Sequence, residues 1–210
     1  MKGIFISFEG IEGSGKSTQA SLLSKYLSEK GYETVLTAEP GGTPISQKIR
    51  EILLSIDNKN MTYMTELLLY NAARVQHIHE LIMPALNRGA FVITDRFTDS
   101  TYAYQGYGRG ISLNLLDKID LIATNNLRPD LTFLLDLDVE TGLMRNKGIN
   151  KIDRLELEDI EFHKKVRAGY LALAEKEPDR IKIVDASMEY NIVYKKVISI
   201  IANFISHLDL

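Results

Sequence analysis

Apolar runs of four to six residues recur along the chain, at Ile4–Phe8, Thr34–Thr37, Phe91–Thr94, Thr132–Leu137 and Ile181–Val184. Each is rich in β-branched or aromatic residues and is followed by a helix-like segment. That alternation predicts parallel strands joined by helical crossovers, an α/β three-layer sandwich. Right-handed crossovers then bring the functional loops together at the carboxyl ends of the strands.

The helices are legible from their periods and stops. Lys16 to Lys30 carries Leu22, Leu23, Tyr26 and Leu27 on one face, and Gly31 stands where a helix ends. A second helix is predicted from near Thr65 to Arg88, stopping at Gly89, with a kink at Pro84. The last helix, Val193 to Leu208, is strongly apolar and predicted to be core. By contrast Met144 to Ile160, MRNKGINKIDRLELEDI, is polar, contains a central glycine and has a weak apolar period. It is expected to be a mobile flap between two helices. No repeat, low-complexity tract or linker interrupts the chain, so one domain spanning 1–210 is expected, with a lid at about 144–158.

Composition narrows the function. With 210 residues, 45% of them hydrophobic and 25% charged, the chain can bury one sizeable core. A net charge of -3 supplies no global basic field, so neither nucleic acid nor membrane is expected as a partner, and any phosphate must be met by local groups. No apolar run approaches the ~18 residues of a membrane span, and Met1-Lys2-Gly3 leads straight into a strand, which points to the cytoplasm. The absence of cysteine excludes disulfides and thiolate chemistry.

The stretch FEGIEGSGKST, Phe8 to Thr18, carries the clearest chemistry. Gly10-Ile11-Glu12-Gly13-Ser14-Gly15-Lys16-Ser17 fits G-x-x-x-x-G-K-[ST], follows the first strand and opens the first helix. Glycines let successive backbone N–H groups turn inward around phosphate, and the helix adds its positive dipole end. Lys16 is expected on the β- and γ-phosphates and the Ser17 hydroxyl on Mg²⁺. Glu12 is anomalous, since a carboxylate beside phosphate is costly.

A second constellation follows the third strand. Asp95 at its end is placed to hold Mg²⁺ or its water shell, and Arg96 to meet a second anion. Ser100, Thr101, Tyr104 and Gln105 offer hydroxyl, amide and aromatic groups suited to a base edge and a sugar. Tyr70 and Arg74, four apart, share a helix face where a ring could stack on a base and a guanidinium bond its edge. His77 and His79 are two apart and do not share a helix face, so they are not expected to form a metal pair.

With these segments in view, the sequence resembles the bacterial thymidylate kinases. The matching stretches are FEGIEGSGKST, AEPGGT (Ala38 to Thr43), the helix carrying Tyr70 and Arg74, DRFTDSTYAYQGYGRG (Asp95 to Gly110), RPDLTFLLDLD (Arg128 to Asp138) and VDAS (Val184 to Ser187). The resemblance implies the three-layer P-loop nucleoside monophosphate kinase fold, with a five-stranded parallel sheet. It implies transfer of the γ-phosphoryl group of ATP, with Mg²⁺, to dTMP. ATP would lie on Gly10, Ile11, Glu12, Gly13, Ser14, Gly15, Lys16, Ser17 and Thr18. The acceptor would lie on Glu12, Pro40, Tyr70, Arg74, Arg96, Ser100, Thr101, Tyr104 and Gln105. Glu12 would then face the acceptor's 3′-hydroxyl, Arg96 its phosphate, and Tyr104 would crowd the sugar 2′ position. Tyr70 stands where the family usually has phenylalanine.

Some members of the family carry an arginine directly after the loop acid; here that position is Gly13. The resemblance is to the other group, in which a lid supplies cations. Arg145, Lys147, Lys151 and Arg154 are the candidates, and Arg145 and Arg154 are favoured because a guanidinium bridges two phosphate oxygens. With Lys16 and Arg96 they make up the expected catalytic set. A homodimer packed through helices is also implied. Two other readings stay open from the residues: a different acceptor, such as dUMP or a deoxynucleoside, and a GTP-dependent switch. The switch would need N-K-x-D, whereas Asn146-Lys147 is followed by Gly148-Ile149. The purine is expected near Asp185-Ala186-Ser187.

Overall fold

The structure, a computed structural model, describes residues 3–146 and 153–207. Five strands form at the apolar runs: β1 Ile4–Glu9, β2 Thr34–Ala38, β3 Phe91–Asp95, β4 Leu131–Asp136 and β5 Ile181–Asp185. They make one parallel sheet in the order β2-β3-β1-β4-β5. All six residues of β1 are buried, as expected of a central strand covered on both faces, whereas the edge strand β2 is only partly covered. Strand alternation divides the core: Ile4, Ile6 and Phe8 point into one cluster and Phe5 into the other. Phe8 stacks on Phe133 at 5.0 Å on the first face, and Phe5 meets Phe97 edge-on at 4.8 Å on the second.

The register sets up the site. Phe8 lies opposite both Asp95 and Phe133, and Ala38 is also opposite Asp95. The loops leaving β1, β2 and β3 therefore start side by side at the carboxyl edge, where the chain reverses direction across the sheet.

Nine α-helices are found among the described residues: α1 Lys16–Glu29, α2 Pro44–Leu54, α3 Tyr63–His77, α4 Met83–Asn87, α5 Thr98–Thr101, α6 Leu113–Thr124, α7 Val139–Asn146, α8 Ile160–Lys176 and α9 Tyr190–Ser206. Gly31, at φ 91°, ends the first helical segment where expected. The Pro84 kink takes the form of a wide π turn, Ile78–Ile82, between α3 and α4. Proline has no N–H to give to the preceding turn, and the ladder widens just before it. The terminal helix meets the expectation: it buries Val193, Val197 and Ile201 in the main core cluster along one stripe and packs on α1, and its first turn begins earlier, with Tyr190 and Ile192 exposed. No helix among the described residues is long and apolar enough to cross a membrane.

Within the expected lid, α7 runs on to Asn146, and residues 153–158 form turns that lead into the Asp159 cap of α8. Lys147 and Lys151 lie outside the described residues.

Candidate active site

The carboxyl edge of the sheet opens into a cleft of about 730 Å³. Its floor is the phosphate loop, where Gly10, Gly13 and Gly15 take φ of 138°, 74° and 90°. At Gly13 the left-handed turn brings the loop against α7: a Cβ there would land on the carbonyl of Gly142, and a Cβ on Gly142 would stand 2.6 Å from the Glu12 carbonyl. The two glycines let loop and helix approach backbone to backbone, with the Ile11 side chain filling the space beside Gly142.

Lys16 Nζ donates to the Ile11 carbonyl at 2.8 Å and lies 3.4 Å from Ser14 Oγ. Burial, reinforced by the Arg96 charge, lowers its ammonium to about 8. Ser17 Oγ donates to Asp95 Oδ2, and the other carboxylate oxygen, Oδ1, is buried without a partner. A hydroxyl touching a carboxylate that keeps one unsatisfied oxygen is an all-oxygen donor set that fits Mg²⁺.

Arg96 is the hinge of the second half. It adopts φ 74°, unusual for a side-chain-bearing residue, as the chain turns from β3 into α5. Its Nη1 donates to the Gly10 carbonyl (3.1 Å), Ser100 Oγ (3.2 Å) and Tyr170 Oη (3.0 Å). Nη2 donates to Glu12 Oε1 (2.8 Å) and Tyr104 Oη (3.1 Å). Tyr104 in turn donates to Glu12 at 2.7 Å. Burial works against the Glu12 charge, but Arg96 and Lys16 outweigh it and hold the carboxyl below its usual range. The acid in the loop is thus compensated by Arg96 and Lys16.

Arg74 is almost wholly buried. Nε donates to Glu39 Oε2 (2.8 Å), Nη1 to Thr101 Oγ1 (2.9 Å) and Nη2 to the Phe97 carbonyl (3.2 Å). Glu39 also meets His77 Nδ1 at 3.0 Å, and His77 Nε2 meets Thr37 at 2.7 Å. His77 therefore orients the carboxylate that orients Arg74. Gln105 Nε2 donates to Glu66 Oε1 at 2.8 Å.

Of the residues expected from sequence, Glu12, Gly13, Gly15, Lys16, Ser17, Thr18, Pro40, Tyr70, Arg74, Asp95, Arg96, Ser100, Thr101, Tyr104, Gln105 and Arg145 all line this cleft. Gly10, Ile11 and Ser14 do not. They lie behind the loop, with Ile11 in the core and its carbonyl accepting from both Ser14 and Lys16. Arg154 also departs from expectation. Its Nη1 pairs with Glu66 at 2.6 Å and its Nε donates to the Leu53 carbonyl at 3.1 Å, burying the guanidinium away from the cleft wall. Arg145 remains on the wall, donating to the carbonyls of Ala186 (2.8 Å) and Ser187 (3.2 Å), beside the expected purine position.

Three polar groups that sequence reading missed support the site. Glu9, at the end of β1, is fully buried and accepts from Phe97 N (2.7 Å), Ser100 Oγ (2.6 Å) and Tyr170 Oη (3.1 Å). Burial, reinforced by Asp99, pushes its carboxyl up to about 7. Glu39 and Glu66 are the others. Glu66 had a signal, since Glu66, Tyr70 and Arg74 repeat every fourth residue on α3 and form a polar stripe. Glu9 had none, because it ends an apolar run and reads as a strand terminus.

Comparison with known proteins agrees with this geometry. The family model described as thymidylate kinase matches residues 8–197. The thymidylate kinase of Pelobacter propionicus is 53% identical over 191 residues, covering 88% of this chain and 87% of that protein. That of Caldanaerobacter subterraneus is 47% identical over 206 residues, covering 98% of each. The crystal structure of the thymidylate kinase from Ehrlichia chaffeensis superposes with a TM-score of 0.78 at 36% identity, covering 96% of this chain and 99% of that one. With the phosphate loop and Arg96 lining one cleft, and with relatives matching along nearly its whole length, this chain belongs to the thymidylate kinase family.

Proposed function

We propose that the protein transfers the γ-phosphoryl group of ATP to the 5′-phosphate of dTMP, giving ADP and dTDP. The observation that carries this reading is the place of the Arg96 guanidinium, which lines the same cleft as the phosphate loop and is suited to grip a second phosphate. A nucleoside acceptor would leave that clamp without a phosphate and would require a general base for its hydroxyl. A phosphate acceptor is already ionised at neutral pH, so positioning and charge suffice.

The expected roles follow. Lys16 leaves the Ile11 carbonyl for the β- and γ-phosphates, an exchange of a neutral acceptor for a charged one. Ser17 and Asp95 would hold Mg²⁺, which would supply positive charge to the donor phosphates. Arg96 grips the acceptor phosphate, Tyr70 stacks on the base, and Arg74 and Thr101 bond its edge. Tyr104 stands against the sugar 2′ position, and Glu12 accepts from the 3′-hydroxyl. Arg145 is the lid guanidinium assigned to the transferring group, because its present partners are neutral carbonyls that a phosphate outcompetes. Lid closure excludes water, the competing acceptor.

We place the reaction in the cytoplasm and the protein in a homodimer. Met64, Leu68 and Val75 are 42%, 52% and 46% exposed and fall on one face of α3, an apolar stripe suited to an isologous helix contact. The function is tested by ADP release with dTMP, dUMP and thymidine under the same conditions. Preference for dTMP is expected. Equal turnover of thymidine would remove the reading, and GTP-selective binding without transfer would replace it with a switch.

A further inference from the structure

Glu66 is wholly buried on α3 yet accepts three hydrogen bonds and pairs with a second guanidinium. Oε1 accepts from Gln105 Nε2 (2.8 Å) and Arg109 Nε (3.3 Å), and Oε2 accepts from Arg109 Nη2 (3.1 Å) and forms an ion pair with Arg154 Nη1 at 2.6 Å. Arg109 is itself fixed, with its guanidinium 4.6 Å from the ring centroids of both Tyr63 and Phe162 and its Nη1 on Glu158 at 2.7 Å. Burial opposes the Glu66 charge, but the Arg109 and Gln105 hydrogen bonds and both arginine charges outweigh it and keep the carboxyl below its usual range. An ionised carboxylate only accepts.

We propose that Glu66 is a positioning residue for base selection: it compels the Gln105 amide to turn its NH2 group inward, leaving the carbonyl oxygen to face the bound base. This rests on the reading of the cleft as a pyrimidine nucleotide site. A primary amide is otherwise ambiguous, since a half-turn exchanges its donor for its acceptor at little cost in shape. Held by Glu66, Gln105 presents an acceptor to the cleft it lines. A pyrimidine with a protonated N3, as in thymine, satisfies that acceptor; cytosine, whose N3 is itself an acceptor, opposes it.

The test is kcat/KM for dTMP and for dCMP in the wild type and in Glu66→Gln, which can both donate to and accept from Gln105. The expected result is a fall of about tenfold or more in the dTMP:dCMP preference, carried by KM for dTMP with KM for ATP unchanged. An unchanged preference in folded Glu66→Gln overturns the proposal. Because that substitution disturbs two buried arginines, a second measurement uses the wild type. The ¹⁵N side-chain NH2 of Gln105 is expected to exchange slowly both without and with dTMP. Free exchange in the unliganded protein, or release on binding dTMP, overturns the assignment. Failure of the wild type to phosphorylate dTMP would strike the functional reading instead, and the unliganded amide would still decide its orientation.

Discussion

Arg96 and Glu12, 84 residues apart in the chain, meet at 2.8 Å and tie the turn after β3 to the phosphate loop. Arg96→Ala removes the acceptor clamp and strips Glu12 of its first counter-charge. Turnover is expected to fall about a thousandfold, with ATP affinity nearly unchanged. Parallel loss of ATP binding in a titration would show that Arg96 serves the donor instead.

The two described lid arginines separate by stability. Arg145→Ala removes bonds from an exposed side chain to carbonyls, so unfolding free energy should change by less than about 0.5 kcal/mol while turnover drops. Arg154→Ala breaks a buried pair with Glu66 and should cost about 3 kcal/mol, visible in denaturant melts. The reverse ranking in melts would return Arg154 to the phosphates.

Lys16 gives a pH signature. Its ammonium titrates near 8 in the free protein, because burial first and Arg96 next disfavour the charge. Above that pH the unliganded site is neutral at Lys16, so binding ATP must take up a proton and affinity should weaken as pH rises. Calorimetry at pH 9 in two buffers of different ionisation heat reads that uptake. Equal heats would show that Lys16 is already charged.

Glu9 acts in the opposite window. Its carboxyl titrates near 7 when folded, against an ordinary 4.5. Between those values the folded chain retains a proton that the unfolded chain has released, so this group's contribution to stability declines as pH rises from about 4.5 to about 7. Glu9→Gln removes the titration, and its melting temperature should vary less across that interval than the wild type's. A wild-type curve as flat as the variant's would place the Glu9 titration outside it.

Leu68→Glu should leave dTMP turnover per chain intact while converting the protein to a monomer in sedimentation. A monomeric wild type would discard the stripe as an interface.

The fold was largely legible because the strands are apolar runs that only a doubly covered parallel sheet can bury, and because phosphate chemistry demands glycine at fixed spacing. The terminal helix was legible as core from its apolar content, and Val193, Val197 and Ile201 are its buried stripe. Arg154 misled. Sequence shows a guanidinium in a polar stretch, but its partner Glu66 lies 88 residues earlier on another element. Long-range compensation of charge has no local pattern, and Glu9 and Glu39 were invisible on that account, while Glu66 showed only as part of a polar stripe with no partner named.

The backbone contact between Gly13 and Gly142 constrains mutation as well as shape. An arginine at position 13 would need both a left-handed backbone that side chains resist and a retreat of α7, the helix that carries Arg145. Moving the cation from lid to loop would therefore require coordinated substitutions. Each first step would damage the loop or loosen the helix before the second could compensate, so the two glycines hold each other's identity in place.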